Sequence, residues 1–132
     1  MSFADELRKK SDQAPKDERD EEKLYLNEIY FSLKEGVLRC FLRKCYEEAS
    51  RGETKLNMYV DFLHIIGIIH EQERVFVNQT DYPYVEQILR TNKSDLTAFL
   101  TEGLRKKGFS NIKVRVTASR LRGYSLKMSV SW

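Results

Sequence analysis

Two cysteines and two histidines are the side chains in this sequence that most readily bind a metal ion. Cys40 and Cys45 are separated by four residues and His64 and His70 by five, at or just beyond the loose edge of zinc-ligand spacing. The cysteines fall in a helical pattern, and a helix turns residues five apart by roughly 140° around its axis. Because such diverging side chains neither share an ion nor meet the geometry of a disulfide, we expect two unbridged thiols, no metal site and no cofactor.

The signatures of catalysis in this sequence are incomplete. His70–Arg74 has the start of a metalloprotease helix but lacks its second histidine, and Glu53–Lys55 has half of a nuclease signature without an aspartate on a preceding strand. The glycines are isolated from one another, so they form no phosphate loop, and no nucleophile elbow occurs. The two histidines have no paired carboxylate motif that would indicate a catalytic triad. We therefore expect a protein that is not an enzyme and has no small-molecule substrate.

Length and composition restrict the class of protein further. The chain has 132 residues, of which 41% are hydrophobic and 33% charged, which is typical of one globular domain. No stretch approaches the ~20 apolar residues of a membrane span, and the first ten residues lack the basic-then-apolar order of a secretory signal. With unbridged cysteines, these features predict a cytoplasmic protein with no membrane partner.

The N-terminal part of the sequence predicts a charged arm followed by one long helix. Residues 1–20 are polar, contain Pro15, and are typical of a flexible arm in which residues 3–10 form one or two helical turns. From residue 21 the apolar residues recur at spacings of three and four, which indicates an amphipathic helix over about residues 20–50. Gly36 in its middle costs about 1 kcal/mol against Ala and indicates either a close packing contact or a slight bend. Residues 21–132 are expected to form a single domain.

The remaining sequence predicts a mixed fold. Residues 55–62 alternate as a half-buried strand does; residues 63–70 favour a continuing strand, although a helical stripe also fits them, and residues 74–79 favour another short strand. Asp81 and Pro83 open a short helix to about Arg90, and Ser94 caps a second helix that Gly108 ends.

Two alternating segments joined by a short glycine-containing loop predict a β-hairpin at the C-terminus. The segments are residues 112–119 and 124–132, and each has one apolar and one polar face. The expected fold is therefore α+β, with a long N-terminal helix and two shorter helices packed on one face of a three- to four-stranded antiparallel sheet that ends in this hairpin.

The net charge of +3 conceals an uneven distribution along the chain. Residues 1–102 carry 15 basic and 20 acidic side chains, a net charge of −5, whereas residues 103–132 carry eight basic and no acidic side chains, a net charge of +8. The eight candidates for binding an acidic partner are Lys113, Arg115, Arg120, Arg122 and Lys127 in the hairpin, and Arg105, Lys106 and Lys107 in an adjoining patch. Because a basic β-ribbon can contact phosphates, the leading hypothesis is a non-enzymatic protein that binds nucleic acid or another negatively charged macromolecule.

Other interpretations of the same charges stay open. Basic residues on exposed edge strands prevent sheets from associating edge to edge, and they can also pair with the chain's own acidic segment or with an acidic protein. The polar face of the hairpin lacks an aromatic stacking platform, since Tyr124 and Trp132 share the apolar register, and this argues against binding to a single strand.

Aromatic residues outside the predicted core stripes support an alternative hypothesis. They are Tyr25, Phe31, Tyr59, Tyr82 and Tyr84. Such residues often anchor protein interfaces, although peripheral packing explains many of them. The alternative function is a protein-interaction or inhibitor module that binds a host protein, or a second copy of this chain, through these aromatic residues and the long helix.

Short segments at both ends of the chain carry a family resemblance. The opening SFADELRKK, the KKGF turn (Lys106–Phe109) and the terminal SVSW (Ser129–Trp132), together with the long helix, resemble a group of small uncharacterised proteins of Gram-positive gut bacteria and their prophages or other mobile elements. The resemblance implies no catalytic activity and transfers no functional residue. It favours a phage-encoded accessory or inhibitor protein whose role is binding.

Overall fold

A single antiparallel sheet lies against a set of helices. A computed structural model of the chain describes residues 2–121 and 123–132, with residues 10–19 described by their backbone alone. The helices are α1 (Phe3–Ser50), α2 (Phe62–Glu71), α3 (Tyr82–Thr91) and α4 (Lys93–Lys106), with a 3₁₀ turn at Gln79–Asp81. The strands are β1 (Lys55–Val60), β2 (Ser110–Ser119) and β3 (Gly123–Ser131), in the spatial order β1-β3-β2. The predicted α+β class and the C-terminal hairpin are confirmed.

Helix α1 is longer than the sequence pattern predicts. It begins at Phe3 and not near residue 20, because Ser2 caps it: the Ser2 hydroxyl accepts a hydrogen bond from the Asp5 N–H at 3.3 Å, and the Asp5 carboxylate accepts one from the Ser2 N–H. The described side chains before Tyr25 are all exposed. The predicted apolar stripe is buried from Ile29 onward, and its fully enclosed members are Ile29, Leu33, Val37, Phe41 and Cys45.

The strand predicted for residues 63–70 is wrong, because this segment forms helix α2. The carboxylate of Asp61 accepts a hydrogen bond from the His64 N–H at 2.9 Å and so caps the helix. Helical spacing buries five apolar side chains, namely Phe62, Ile65, Ile66, Ile68 and Ile69, and α2 packs against α1. Burial of this face outweighs the modest preference of isoleucine for strands, which depends on context.

The strand predicted for residues 74–79 is also wrong, because side chains hold this segment as an irregular connection. The N–H of the buried Val77 donates a hydrogen bond to Nε2 of His70 at 3.0 Å instead of joining a ladder. Arg74 donates two hydrogen bonds to the carboxylate of Glu28 at 2.9 and 3.2 Å, and its guanidinium lies 4.4 Å from the centre of the Phe31 ring. These contacts tie the connection to α1, and the hydrogen bonds from Arg74 lower the pKa of Glu28.

Helices α3 and α4 match their predicted positions but not all of their predicted caps. Pro83 lies in the first turn of α3, as expected, while Asp81 makes no capping hydrogen bond and accepts one from the Tyr25 hydroxyl at 3.1 Å. Helix α4 begins after Asn92, so Ser94 lies inside it and is not its cap. Gly108 follows the end of α4 with a φ of +88°, the left-handed conformation that favours glycine.

Alternation on the three strands turns one face of the sheet toward the helices. The buried side chains of this inner face are Met58 and Val60 on β1, Val116 on β2, and Leu126, Met128 and Val130 on β3. Helix α1 contacts β1 and helix α4 contacts β2. Among the described residues, no helix combines the length and apolar character needed to cross a bilayer.

Gly36 marks the close contact between α1 and α2, and its replacement by Ala is the first test of this packing. A Cβ at Gly36 would lie 2.7 Å from Cγ2 of Ile68 and 2.7 Å from Nε2 of Gln72. We expect Gly36→Ala to lower the free energy of unfolding by about 1 kcal/mol or more, since overpacking outweighs the gain in helix propensity. Gly67→Ala on α2, where nothing lies within 4 Å, is the matched control and should stabilise by up to about 1 kcal/mol. Urea denaturation measures both, and a stabilising Gly36→Ala would contradict the packing described.

Tyr30 links α1 to α4, and it should make the free energy of unfolding decrease as the pH rises in the alkaline range. Its hydroxyl donates a hydrogen bond to Asp95, and burial, followed by this bond, raises the pKa of Tyr30 above its ordinary value. A raised pKa in the folded state gives a stabilisation that is fully present below the unfolded value of about 10 and is lost as the pH rises above it. We expect Tyr30→Phe to lower the free energy of unfolding by about 1 kcal/mol at neutral pH. Above a pH of about 10, the free energy of unfolding of this variant should fall less steeply with pH than that of the original chain. An unchanged alkaline slope in denaturation curves would contradict this role.

Candidate functional site

The face of the sheet turned away from the helices carries the candidate site. We give the name open face to seven of its residues, namely Lys55, Asn57 and Tyr59 on β1, Lys127 and Ser129 on β3, and Lys113 and Arg115 on β2. The three strands contain no acidic residue, and the four basic side chains are all exposed. The open face is therefore a basic surface built from three strands and not from the hairpin alone.

Strand register arranges these side chains in two rows that cross the sheet. One row contains Asn57, Ser129 and Lys113, which are directly opposite one another, and the next contains Tyr59, Lys127 and Arg115. Residues two apart on a strand are separated by about 7 Å, so the rows form the walls of a slot. The side chains of Met58 and Met128, which lie between the rows, are buried on the inner face, so these residues contribute backbone to the floor of the slot. Ile112 on β2 and Thr101 on α4 also line the slot, which has a volume of about 670 Å³.

The positive charges of the open face have no acidic partner among the described side chains. Among the side chains that the structure describes, none of the four basic residues forms an ion pair. Arg115 and Lys127 lie directly opposite each other on neighbouring strands, and like charges in that position destabilise a sheet. Lys127 also belongs to the central strand, so protection of a sheet edge does not explain its charge. The open face therefore places two like charges on directly opposed residues, an arrangement that edge protection does not require of β3.

The structure separates the eight predicted basic residues into groups. Lys113, Arg115 and Lys127 lie together on the open face, as the hairpin pattern predicts. Arg120 is exposed in the turn between β2 and β3, and Arg122 lies outside the described residues.

The adjoining basic patch is only partly continuous with the open face. Arg105 forms an ion pair with Glu102 at 2.8 Å and shares a shallow depression with Thr101, which also lines the slot. Lys106 lines a different depression between α1 and α4, and Lys107 is the C-terminal cap of α4. Arg105 therefore adjoins the slot through Thr101, while Lys106 lies in a separate depression.

Pairing of β1 with β3 adds two residues that the hairpin pattern leaves out. Lys55 contributes a fourth cation, and Tyr59, which is 48% exposed, contributes an aromatic ring. The Nζ of Lys127 lies 5.8 Å from the centre of the Tyr59 ring. The polar face of the hairpin lacks an aromatic side chain of its own, but the completed sheet has one. Alternation in residues 55–60 predicts that Tyr59 lies on the polar face of its strand. No pattern in the sequence predicts which strand β1 pairs with.

The other aromatic candidates have individual positions in the fold. The Tyr25 hydroxyl also donates a longer hydrogen bond to the Phe76 carbonyl at 3.4 Å, and burial raises the pKa of Tyr25. Tyr82 packs edge-on against Phe62 with 5.7 Å between ring centres. Phe31 is partly exposed beneath Arg74, and Tyr84 is partly exposed in a depression between α1 and α3. Only Tyr59 among the five belongs to the open face.

The cysteines are free thiols, as predicted. Cys45 is buried, and this burial raises its pKa, while Cys40 is half-buried. Among the described residues, no group of three or more His, Cys, Asp or Glu side chains is placed to hold a metal ion.

Comparisons with known proteins leave the open face to be interpreted from its own geometry. No protein-family model, no curated protein and no solved structure matches this chain.

Replacing Arg115 tests whether the charges of the open face oppose folding. We expect Arg115→Thr to raise the free energy of unfolding by about 0.5 kcal/mol at low salt, because it removes the like charge opposite Lys127. The gain should shrink near 1 M salt, where the Debye length falls to about 3 Å. Lys113→Thr is the matched control, since Lys113 lies opposite the uncharged Ser129. Urea denaturation at two salt concentrations measures the effect, and a destabilised Arg115→Thr would contradict it.

Proposed function

We propose that this chain is a non-enzymatic protein that binds nucleic acid through its open face. The observation that carries the proposal is a sheet surface whose charged residues are all basic, exposed and without an ion pair among the described side chains. Nucleic acid offers a row of phosphates to such a surface, and release of its counterions supplies binding free energy that does not depend on sequence.

The repulsion between Arg115 and Lys127 supports this function over a structural one. A cross-strand pair of like charges is unfavourable in the free protein. A phosphate placed over the pair would relieve the repulsion, so the same charges that oppose folding favour a polyanionic ligand. Edge protection needs no cation on the central strand, and it accounts only for Lys55, Lys113 and Arg115.

Binding to labelled oligonucleotides at increasing salt tests the proposal. We expect the chain to bind an oligonucleotide at low salt and to lose affinity steeply between about 50 and 200 mM. A variant that carries Lys113→Thr, Arg115→Thr and Lys127→Thr should reduce the slope of log K against log salt concentration by about 2, since three phosphate contacts are lost. Fluorescence anisotropy measures both quantities.

A second triple variant controls for the change in net charge. Lys23→Gln, Arg39→Gln and Arg90→Gln remove three exposed charges from α1 and α3, and they should leave the affinity and the slope nearly unchanged. Equal losses in the two variants would show that net charge alone attracts the probe. Absence of binding to every oligonucleotide at low salt would overturn the proposal, and displacement of the probe by poly-glutamate at equal charge concentration would favour an acidic protein as the partner.

A further inference from the structure

The slot on the open face points to a particular form of nucleic acid. We infer that it receives unpaired nucleobases of a single strand, with the Tyr59 ring as the stacking surface, an inference that rests on the function proposed above. The width of the slot, the side chains of its walls and its positive charges each favour this ligand.

The width of the slot fits a flat group held against one wall. The two rows of side chains are separated by about 7 Å, whereas stacked bases are spaced by about 3.4 Å along a strand. One planar base therefore occupies the space between the rows while it lies against Tyr59. Aromatic side chains contribute to single-strand binding in this way because every base has a π-face.

The wall opposite Tyr59 carries groups that can contact the edge of a base. Asn57 offers an amide donor and an amide acceptor, and Ser129 offers a hydroxyl. Lys113 lies at the end of that wall, and Lys127 and Arg115 continue the wall of Tyr59. A strand that crosses the sheet can thus stack a base beside Tyr59 and place its phosphates near these cations.

The shape of the sheet disfavours duplex DNA as the ligand. The open face spans three strands, about 10 Å between the outer backbones before side chains are added, while the major groove is about 12 Å wide and the minor groove about 6 Å. A two-stranded ribbon enters the major groove, but β3 of the hairpin is paired on both of its sides. The Tyr59 ring can stack only on an accessible base face, and the bases of an intact duplex are covered by their own stacking.

The first experiment compares probes on the unmodified chain. We expect oligothymidylate of about 15 nucleotides, within the site size of single-strand-binding domains, to bind at least about tenfold tighter than a duplex of equal length. An oligonucleotide of the same length with abasic positions retains the phosphates but loses the bases, so its affinity should be at least about fivefold lower. Thymidine monophosphate should compete poorly, because it offers one phosphate to several cations.

The second experiment removes the stacking surface. Tyr59→Ala should weaken binding of oligothymidylate at least about fivefold and leave binding of the abasic probe unchanged, while Tyr59→Phe should stay within about twofold of the original affinity. Tyr46→Ala is the matched control, because Tyr46 is 77% exposed on α1 and lies outside the slot. Circular dichroism checks that each variant is folded, and the probe comparison on the unmodified chain tests the inference even if Tyr59→Ala does not fold.

The outcomes separate this inference from the function on which it rests. Equal affinity for single strand, duplex and abasic probe, together with loss of binding in the triple Thr variant, would overturn base stacking and leave phosphate binding intact. Tight binding of the mononucleotide would replace the polymer with a small ligand and overturn the inference as stated. Absence of binding to all probes would overturn both.

Discussion

The position of β3 at the centre of the sheet is the constraint on which the rest of the structure depends. Because β3 pairs with β2 on one side and β1 on the other, its apolar residues are enclosed and its polar residues form the middle of a continuous surface. The ladder joins Leu56 to Val130 and Val60 to Leu126, so it fixes the strand that precedes α2 to the end of the chain. The helical layer and the open face both follow from this pairing, since it decides which side chains point to each.

Local sequence patterns predicted the elements whose signals are strong over a short range. The alternation in the hairpin, the spacing of apolar residues in α1 and the Pro83 start of α3 each depend on contacts within one or two elements, and each was confirmed. The apolar run at residues 63–70 was ambiguous because its isoleucines favour a strand while the spacing of its apolar residues also fits a buried helix. Its identity depended on the capping carboxylate of Asp61 and on the α1 surface, and only the capping signal is local.

The candidate site also combines residues that a local pattern predicts with residues that depend on long-range pairing. Three of its cations were predicted because Lys113, Arg115 and Lys127 alternate within the hairpin. The contribution of Lys55 and the placement of Tyr59 beside Lys127 required the long-range register between β1 and β3, which no local pattern encodes. The polar face of the two-stranded hairpin lacks an aromatic side chain, and the third strand, β1, supplies one to the completed sheet. Arg105, Lys106 and Lys107 are adjacent in sequence but point in different directions, because each residue of a helix is turned by about 100° from the one before it.

The register between β1 and β3 has a consequence for the order of folding. The hairpin joins neighbouring segments of the chain, whereas β1 and β3 are separated in sequence by α2, α3 and α4. Closing so long a loop is entropically unfavourable, and long-range strand pairings are slow to form. Loop closure therefore favours a hairpin that forms before β1 is added. The surface that includes Tyr59 is then completed only when the whole domain has closed around its core.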